Sequence, residues 1–491
     1  MKKTTGATWD SIFLAFSRVL TILCSMLTTK ILSTGLSLEG YGTYAQASLI
    51  ISTGTSIIIF GMGDALAYYF NRSNDEIEET LRSRIINTIF FIEIALGLLL
   101  ASIIVFGQTA IVSYFSNESL YQVIIVTSIL PLFSNIINLL QILCVSSGRA
   151  KWMSIYSLVL AIVRIAVALL AVYVLENILW IFVGTLLIDV CHIVVYNMDI
   201  HKKSVHINVF KISYKHIKPI FAYGLPMGVY SITSSLTRDI DKLVIGRIGG
   251  TEELAIYTNC SKVLPLDFFV TAFAMVLIPY IYRRVSEGRK EESIDLFSSY
   301  LKVGYYTVWM LGTMVLVAPE AVISFLYADV YVNGKWVFIL YVLDSMLRFA
   351  SVHLILTAAG KAKNVMLYSV ISLILNAILN IIFYHIWGMV GPAIATTIVS
   401  FIYTILILGD TIKTIEAKWK DVFDFKDIVI FVTTIVASWG VSFALNALLL
   451  HFELHPYVAM IISMCIFAAI VLTVYFKKIF RVLKKINSFK L

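Results

Sequence analysis

Basic and acidic side chains interrupt several long apolar stretches of this sequence, and these are the residues that could do chemistry. Arg18 and Arg164 each stand near the middle of such a stretch, with no acidic residue three or four positions away. Because a lone cation is costly in hydrocarbon, each must find water, a neighbouring helix or an anionic ligand. Arginine is the preferred bidentate partner of phosphate. Both are therefore predicted to line a substrate-binding cavity that attracts anions.

Other charged residues are spaced so that they can pair locally. Arg238 and Asp241 are three positions apart, and Asp344 and Arg348 are four apart, so the members of each pair share a helix face. Such spacing fits a structural bridge as well as a cavity pair. Arg238 and Arg348 are candidate substrate-binding residues, and Asp64, Asp241 and Asp344 are candidates for ion coupling or for pairing between lobes.

Two further polar residues receive a structural interpretation. Glu93 is interpreted as lying near the cytoplasmic end of its span, where its carboxylate meets the interface. His192 is a single histidine in a mostly apolar stretch, and a structural hydrogen bond is preferred over proton coupling. Asp189 lies three residues before it and is a further candidate without an assigned role.

Familiar catalytic motifs are absent from the sequence. Gly334-Lys335 is followed by Trp336 and so does not complete a phosphate-binding loop, and neither HExxH nor GxSxG occurs. The five cysteines lie in apolar stretches without metal-ligand spacing. The sequence therefore predicts no enzyme activity, no metal and no cofactor.

The composition explains why the charged residues are so informative. The chain has 491 residues, of which 59% are hydrophobic and 14% charged, whereas soluble domains are roughly 45–50% apolar and about 25% charged. This excludes a soluble enzyme, a disordered chain and a nucleic-acid-binding module. Fourteen apolar runs are each long enough for a membrane-spanning helix, which needs about 20 residues. The predicted fold is an all-α polytopic membrane protein with about 14 transmembrane helices.

The distribution of positive charge sets the predicted orientation. If the N-terminus and every second loop are cytoplasmic, 28 of the 38 lysines and arginines fall on that side, eight fall within the spans, and the outer loops hold Arg247 and Lys335. Such an excess is typical of cytoplasmic loops. The net charge of +8 is therefore attributed to topology. Both termini are predicted to be cytoplasmic, in a bacterial cytoplasmic (inner) membrane.

An internal repeat predicts two lobes. Gly148-Arg149-Ala150-Lys151 recurs as Gly360-Lys361-Ala362-Lys363, and Tyr44 corresponds to Tyr257 at nearly the same separation. Six spans fit into that separation, so the two lobes enter the membrane in the same sense, related by a pseudo-two-fold along the membrane normal. The predicted parts are an N-terminal lobe (1–200), an inter-lobe linker (201–218), a C-terminal lobe (219–410), a second linker (411–427), spans 13 and 14 (428–476) and a basic cytoplasmic tail (477–491).

Five short segments resemble the lipid-linked oligosaccharide flippases of the MOP (multidrug/oligosaccharidyl-lipid/polysaccharide) exporter superfamily, most closely its polysaccharide-transporter branch. They are Phe16–Leu20, Glu39–Tyr44, Tyr223–Pro226, Asp241–Gly246 and Glu252–Tyr257. The resemblance implies a MATE-like fold of two lobes around a cavity. Lipid II flippases of the superfamily carry further arginines in span 2, where this chain has none between Gly42 and Phe70, which favours another glycolipid.

The resemblance implies a function in cell-surface polysaccharide biosynthesis. The expected activity moves undecaprenyl-diphosphate-linked oligosaccharide repeat units from the cytoplasmic to the outer leaflet by alternating access, with Arg18 as the residue best matched to the family's cavity. The expected partners are this substrate, membrane lipid, and a polysaccharide polymerase with its assembly proteins, with no nucleic acid. The alternatives are a cation-coupled multidrug exporter of the same superfamily and a membrane-embedded polysaccharide-processing enzyme. A scaffolding role in the assembly machinery is also open.

Overall fold

The computed structural model describes residues 4–71, 79–201, 207–262, 264, 266, 270, 277, 280–281, 283–284, 287–350 and 353–488. Helices and short connections make up this part of the chain. It divides into two compact units, Met1–Ala255 (unit 1) and Ile256–Leu491 (unit 2). The predicted lobe boundaries stay a prediction.

Most helices of unit 1 are long, as the apolar runs predict. They are α1 (Thr4–Gly35), α2 (Leu38–Ile59), α3 (Met62–Asn71), α4 (Glu79–Phe106), α5 (Gln108–Phe115), α6 (Ile124–Ser146), α7 (Ala150–Tyr173), α8 (Leu179–His201), α9 (Tyr214–Ile248) and α10 (Gly250–Cys260), whose last turn belongs to unit 2. A short 3₁₀ helix, Glu118–Gln122, connects α5 with α6.

The helices of unit 2 follow a comparable order. They are α11 (Lys290–Val315), α12 (Pro319–Leu326), α13 (Lys335–Leu347), α14 (His353–Ala358), α15 (Ala362–Trp387), α16 (Val390–Thr414), α17 (Trp419–Val422), α18 (Phe425–His451) and α19 (Pro456–Ser488). A 3₁₀ helix, Asp329–Gly334, precedes α13.

The described residues include nine helices that are long and apolar enough to cross a membrane. The number rises to eleven if each of two bent helix pairs is one span. The chain is therefore a multi-pass membrane protein, and the all-α fold prediction is confirmed. The exact number of fourteen spans is not confirmed, because α9 carries several charged residues and part of the predicted span 254–282 lies outside the described residues.

A break separates α2 from α3. Phe60 and Gly61 both adopt left-handed φ values, 33° and 74°, and the two helix axes differ by 45°. A Cβ atom at Gly61 would lie 2.0 Å from the carbonyl oxygen of Gly224. Glycine is therefore required here both by its backbone conformation and by the close approach of α9.

α6 is the central helix of unit 1 and packs against α2, α4 and α8. Its buried Leu139, Leu140 and Leu143 join Ile85 and Phe90 of α4 in an apolar cluster. Pro131 lies inside α6, and a proline at that position removes a backbone hydrogen bond and weakens the helix locally. α7 packs between α1 and α8.

The order of elements repeats between the units. α4, α5, the first 3₁₀ helix, α6, α7 and α8 each begin 211 or 212 residues before α11, α12, the second 3₁₀ helix, α13, α15 and α16. The helix that corresponds to α6 is divided in unit 2, since α13 ends at Leu347 and α14 begins at His353. The repeat first indicated by two short motifs therefore extends over whole supersecondary units.

The last two long helices are fixed to α11 by one carboxylate. Asp427 near the start of α18 accepts hydrogen bonds from Tyr305 (3.2 Å) and Tyr306 of α11, and it forms an ion pair with Lys478 of α19 (2.8 Å). Buried Phe431 and Tyr475 complete the contact. The polar groups satisfy one another, so these helices are held in one register on α11.

Candidate functional site

A cavity of about 390 Å³ opens within unit 1. Four helices form its wall, with the following residues: Tyr44, Ser48 and Ile51 of α2; Leu130, Ser134, Ile137, Asn138 and Gln141 of α6; Arg164 of α7; and Phe182, Thr185, Asp189 and His192 of α8. Its volume is within the range of small-molecule sites, about 300–1,000 Å³.

The spacing of the lining residues explains how the helices form the cavity. Tyr44, Ser48 and Ile51 stand at i, i+4 and i+7 of α2, which places them on one face. The same spacing relates Ser134, Asn138 and Gln141 on α6, and Thr185, Asp189 and His192 on α8. A polar stripe at this period within an apolar helix is the sequence signal for such a wall, and the sequence-based candidates include only Asp189 and His192 of the stripe on α8.

The cavity contains one ion pair between two helices. Arg164 Nη2 of α7 lies 2.8 Å from Asp189 Oδ1 of α8, and the aspartate side chain is 4% exposed whereas the arginine is 42% exposed. The arginine thus finds a partner on a neighbouring helix, which was one of the three possibilities that its sequence position left open. Because guanidinium carries five N–H donors, the donors of Arg164 that face the cavity stay available for an anion.

An aromatic group lies beside this ion pair. The His192 ring meets Tyr196 edge-on with 4.2 Å between ring centroids, and Tyr156 of α7 lies 5.4 Å away. Among the described residues, His192 Nε2 has no hydrogen-bond partner. The expected structural hydrogen bond is therefore not seen at this atom. Across the cavity, Tyr44 stacks on Phe182 at 5.7 Å.

The chemistry of the wall suits a polar, hydroxyl-rich ligand with an anionic group. Hydroxyl and amide side chains of Ser48, Ser134, Asn138, Gln141 and Thr185 can exchange hydrogen bonds with the hydroxyl groups of a ligand. Arg164 supplies a guanidinium whose charge is partly offset by Asp189, so an anion is attracted by donors more than by net charge. The adjoining aromatic rings offer apolar faces.

A second polar group lies on α9. Asp239 and Lys242 form an ion pair at 2.9 Å, and Asp239 also accepts a hydrogen bond from Ser52 of α2. Of the predicted residues, Arg238 is exposed and contacts Ser235 at 3.3 Å, while Asp241 is buried and accepts from the backbone N–H of Lys242. This group lies at the α2–α9 contact and does not line the cavity.

The predicted residues of unit 2 form a local pair. Arg348 contacts Asp344 across one helical turn, and Asp344 is fully buried. Arg348 follows the last residue of α13, so the pair lies at the break between α13 and α14. Two predicted residues remain in unit 1. Asp64 is exposed in the first turn of α3. Arg18 belongs to α1, and its side chain lies outside the part of the chain that the structure describes.

The interpretation of Glu93 was wrong. α4 begins at Glu79, so Glu93 is close to the middle of this 28-residue helix rather than near its end. Its side chain is 0% exposed, and neither carboxylate oxygen has a hydrogen-bond partner among the described residues. The apolar stretch gave no sign of which helix face would be buried, and so the sequence could not reveal this.

The fold and the cavity define a class, a multi-pass helical membrane protein with a polar site inside an apolar bundle. The family model described as polysaccharide biosynthesis protein matches residues 31–335, and the chain belongs to this family. The predicted place in a polysaccharide-biosynthesis family is thereby confirmed.

Individual relatives resemble the chain in sequence, and solved structures resemble it in fold. The chain is 24% identical over 201 residues to the probable low-salt glycan biosynthesis flippase Agl15 of Haloferax volcanii, a match that covers 40% of this chain and 42% of that protein. The chain thus spans less than half the length of this curated relative. Its fold is similar to that of a lipid II flippase MurJ in an inward closed conformation, with a TM-score of 0.68, 17% identity and coverage of 96% and 100%. The fold is also similar to that of an inward-facing multidrug resistance MATE transporter, with a TM-score of 0.69 and 14% identity. That match covers 81% of this chain and 94% of the transporter.

Proposed function

We propose that this chain is a flippase for undecaprenyl-diphosphate-linked oligosaccharide repeat units, which it moves from the cytoplasmic to the outer leaflet by alternating access. The observation that carries the proposal is the cavity with the Arg164–Asp189 pair inside an apolar helix bundle of a polysaccharide biosynthesis protein. A sugar headgroup on a diphosphate cannot cross hydrocarbon unaided. A polar cavity accepts it while the lipid tail stays in the bilayer.

Individual residues have separate parts in this proposal. Arg164 binds the phosphate or an acidic sugar, and the hydroxyl and amide groups of α2, α6 and α8 bind sugar hydroxyls. Arg18, Arg238 and Arg348 are proposed as further substrate-binding residues. The proposed lobes are residues 1–200 and 219–410. Ion coupling, or pairing between these lobes, is proposed for Asp64, Asp241 and Asp344.

The cellular setting belongs to the same proposal. The protein would reside in a bacterial cytoplasmic membrane with both termini in the cytoplasm, where the substrate is assembled. A polysaccharide polymerase and assembly proteins would receive the translocated repeat unit. Because flipping changes no covalent bond, the proposed activity is transport and not catalysis of a reaction.

The alternative within the superfamily is a cation-coupled multidrug exporter. The similarity to a MATE transporter concerns the fold. In the cavity, the buried carboxylate of Asp189 is already neutralised by Arg164, so a hydrophobic cation finds no free negative charge there. This favours an anionic glycolipid as the ligand.

The test measures translocation of a fluorescent undecaprenyl-diphosphate oligosaccharide in proteoliposomes. The informative variant combines Arg164→Gln with Asp189→Asn, because it removes both charges together and leaves no buried carboxylate without a partner. The control is Arg283→Ala, whose arginine forms an exposed pair with Glu287 in unit 2. We expect wild type and the control to translocate alike and the double variant to lose most of its rate.

Two other outcomes are decisive. A double variant that translocates like the control removes Arg164 from the site. Wild-type protein that moves none of several glycolipids, yet expels a hydrophobic cation against an ion gradient, contradicts the flippase proposal and supports the exporter. Arg18→Ala is measured in parallel, and a rate equal to wild type removes that residue from the proposed site.

A further inference from the structure

Glu93 is a buried acidic residue that the proposed transport mechanism does not use. It lies on the face of α4 that carries Ile89 and Gly97, one turn away on either side, and both are buried. Neither carboxylate oxygen of Glu93 has a hydrogen-bond partner among the described residues. A charged carboxylate in such a place is prohibitively costly, so the group must be neutral. A carboxyl group is neutral when it holds a proton.

The packing of α4 on α6 shows what Glu93 faces. A Cβ atom at Gly97 would touch Leu132 of α6. Ile85 and Phe90, which come earlier in α4, share an apolar cluster with Leu139 and Leu143, which come later in α6. α4 and α6 are therefore antiparallel, and one turn from Gly97 toward Glu93 corresponds to one turn from Leu132 toward Asn135.

Asn135 supplies an acceptor at this level. It is 1% exposed, its Nδ2 donates to the carbonyl oxygen of Thr55 at 3.1 Å, and its Oδ1 has no partner within the described residues. Three buried oxygen atoms, two of Glu93 and one of Asn135, thus lack a hydrogen-bond donor among the described residues. A proton on Glu93 supplies the missing donor. Hard cations such as Ca²⁺ take six or more oxygens, which the two side chains do not provide.

Other titratable groups on the helices packed against α4 do not neutralise Glu93. Glu39 of α2, Asp64 of α3 and Lys215 and Lys218 of α9 are exposed. The charged cluster from Arg238 to Lys242 contacts α2 through Ser52. Tyr69 of α3 and Cys144 of α6 belong to the apolar cluster of α4. Like Tyr41 and Tyr44 of α2 and Tyr114 of α5, they carry no positive charge that could pair with a carboxylate. α6 carries no acidic or basic residue between Ile124 and Ser146.

The position of Glu93 relates it to the substrate cavity. One face of α6 lines the cavity with Ser134, Asn138 and Gln141. Another face packs against α4 through Leu132 and against α2 through Asn135. The same helix therefore borders both the cavity and the surroundings of Glu93. Pro131 weakens α6 at this level, and the adjoining α2–α3 unit is broken at Phe60 and Gly61. A shift of α6 during transport would change access to the cavity and to Glu93 together.

We propose that Glu93 is the proton-binding site of unit 1 and couples substrate movement to a proton gradient. The carboxyl O–H holds the proton while α6 closes over it. When α6 moves, the O–H bond breaks, the proton passes to water, and the carboxylate is solvated until it is protonated again. The proposal rests on the transport function proposed above.

The first experiment tests the proton on Glu93 without measuring transport. A hydrophobic carbodiimide adds to protonated carboxyl groups in apolar protein interiors and leaves a stable mass tag. Full-length protein in lipid nanodiscs is labelled at acidic and alkaline pH, and the peptide that contains Glu93 is analysed by mass spectrometry. Glu93→Gln is the blank, and Glu118→Gln, at an exposed position, is the matched control.

We expect a tag on Glu93 in wild type and in Glu118→Gln that decreases as the pH rises. An untagged Glu93 in folded wild-type protein overturns the proposal. Because this measurement is made on wild type, it remains decisive if Glu93→Gln fails to fold.

The second experiment tests coupling in proteoliposomes. A gradient of one pH unit, with one proton moved per substrate, sustains up to about a tenfold asymmetry of glycolipid between leaflets. We expect an asymmetry of this order in wild type and in Glu118→Gln, and none in Glu93→Gln. The asymmetry of each variant is measured with and without the gradient, so that a general loss of translocation rate is not mistaken for a loss of coupling.

Two results contradict the proposal in this assay. One is an equal asymmetry in Glu93→Gln and wild type. The other is an asymmetry that follows a sodium gradient instead, and is lost in Glu93→Gln, which would identify a sodium site. Wild-type protein that moves no glycolipid under any gradient contradicts the flippase proposal, and the carbodiimide measurement then decides on the proton site alone.

Discussion

Unit 1 pairs Arg164 with Asp189 across two helices, whereas unit 2 pairs Asp344 with Arg348 on consecutive turns at the end of one helix. Each pair joins a partly exposed arginine to a buried aspartate. The cross-helix pair lines a cavity, and its arginine faces open space. The local pair lies at a break between helices. The same two side chains can therefore line a cavity or form a local neutral unit, depending on what surrounds them.

The repeat makes this difference sharper. At the positions of unit 2 that match Arg164 and Asp189, the chain has Asn376 and Ser400. Asn376 is fully buried, and its Oδ1 accepts a hydrogen bond from Thr396 at 3.4 Å, the residue that matches Thr185. The same pair of helices thus carries a charged site in one unit and a neutral contact in the other.

The largest expected effect concerns the buried aspartates. Arg348→Ala leaves Asp344 without its partner in a fully buried place and should destabilise the protein by about 3–5 kcal/mol. Arg164→Ala should cost less, about 1–3 kcal/mol, because water in the cavity can reach Asp189. Unfolding of the detergent-solubilised variants measures both, with Arg283→Ala as a control of about 0.5 kcal/mol or less. Equal losses at the two sites would show that the cavity does not hydrate Asp189.

A second prediction converts unit 1 to the residues of unit 2. Arg164→Asn combined with Asp189→Ser should weaken glycolipid binding on the order of 10–100-fold, since charge-assisted hydrogen bonds are lost. The stability of the double variant should stay close to wild type, because these residue types occupy the matching helices of unit 2. Binding is measured by titration in nanodiscs. Unchanged affinity would contradict a role for the charged pair in recognition.

A smaller effect is expected at the ion pairs formed by Arg149 and Lys361, which directly precede the matched helices α7 and α15. Arg149 Nε lies 2.9 Å from Asp199, a second contact comes from Nη2, and Trp152 adds a cation–π contact at 5.5 Å. Lys361 Nζ lies 3.7 Å from Asp410. We therefore expect Arg149→Ala to lower stability by about 1–2 kcal/mol and Lys361→Ala by less than about 1 kcal/mol. Thermal unfolding of both variants tests the order, and a reversed order would contradict it.

Local spacing identified the partner of Arg348, which lies next to the same helix as Asp344. The i,i+4 separation of Asp344 and Arg348 predicted the pair that forms. The partner of Arg164 lies 25 residues away on the next helix, and no local rule identifies it. Glu93 was predicted to meet the interface, but it lies near the middle of α4 on a buried face, and an apolar stretch does not show which of its faces is buried against another helix.

The sequence by itself determined the helical, membrane-spanning character of the protein, because long apolar runs need internally satisfied backbone hydrogen bonds in lipid. It also revealed the repeat and the presence of an arginine that required a partner. The tertiary structure decided which residues became neighbours. The i, i+4 and i+7 stripes of α2, α6 and α8 form a cavity because these helices pack with those faces together. Glu93 is buried because it lies on the face of α4 that packs against other helices, whereas apolar side chains cover the exposed faces of α4. Helix packing depends on contacts between distant segments, which periodicity within one segment does not encode.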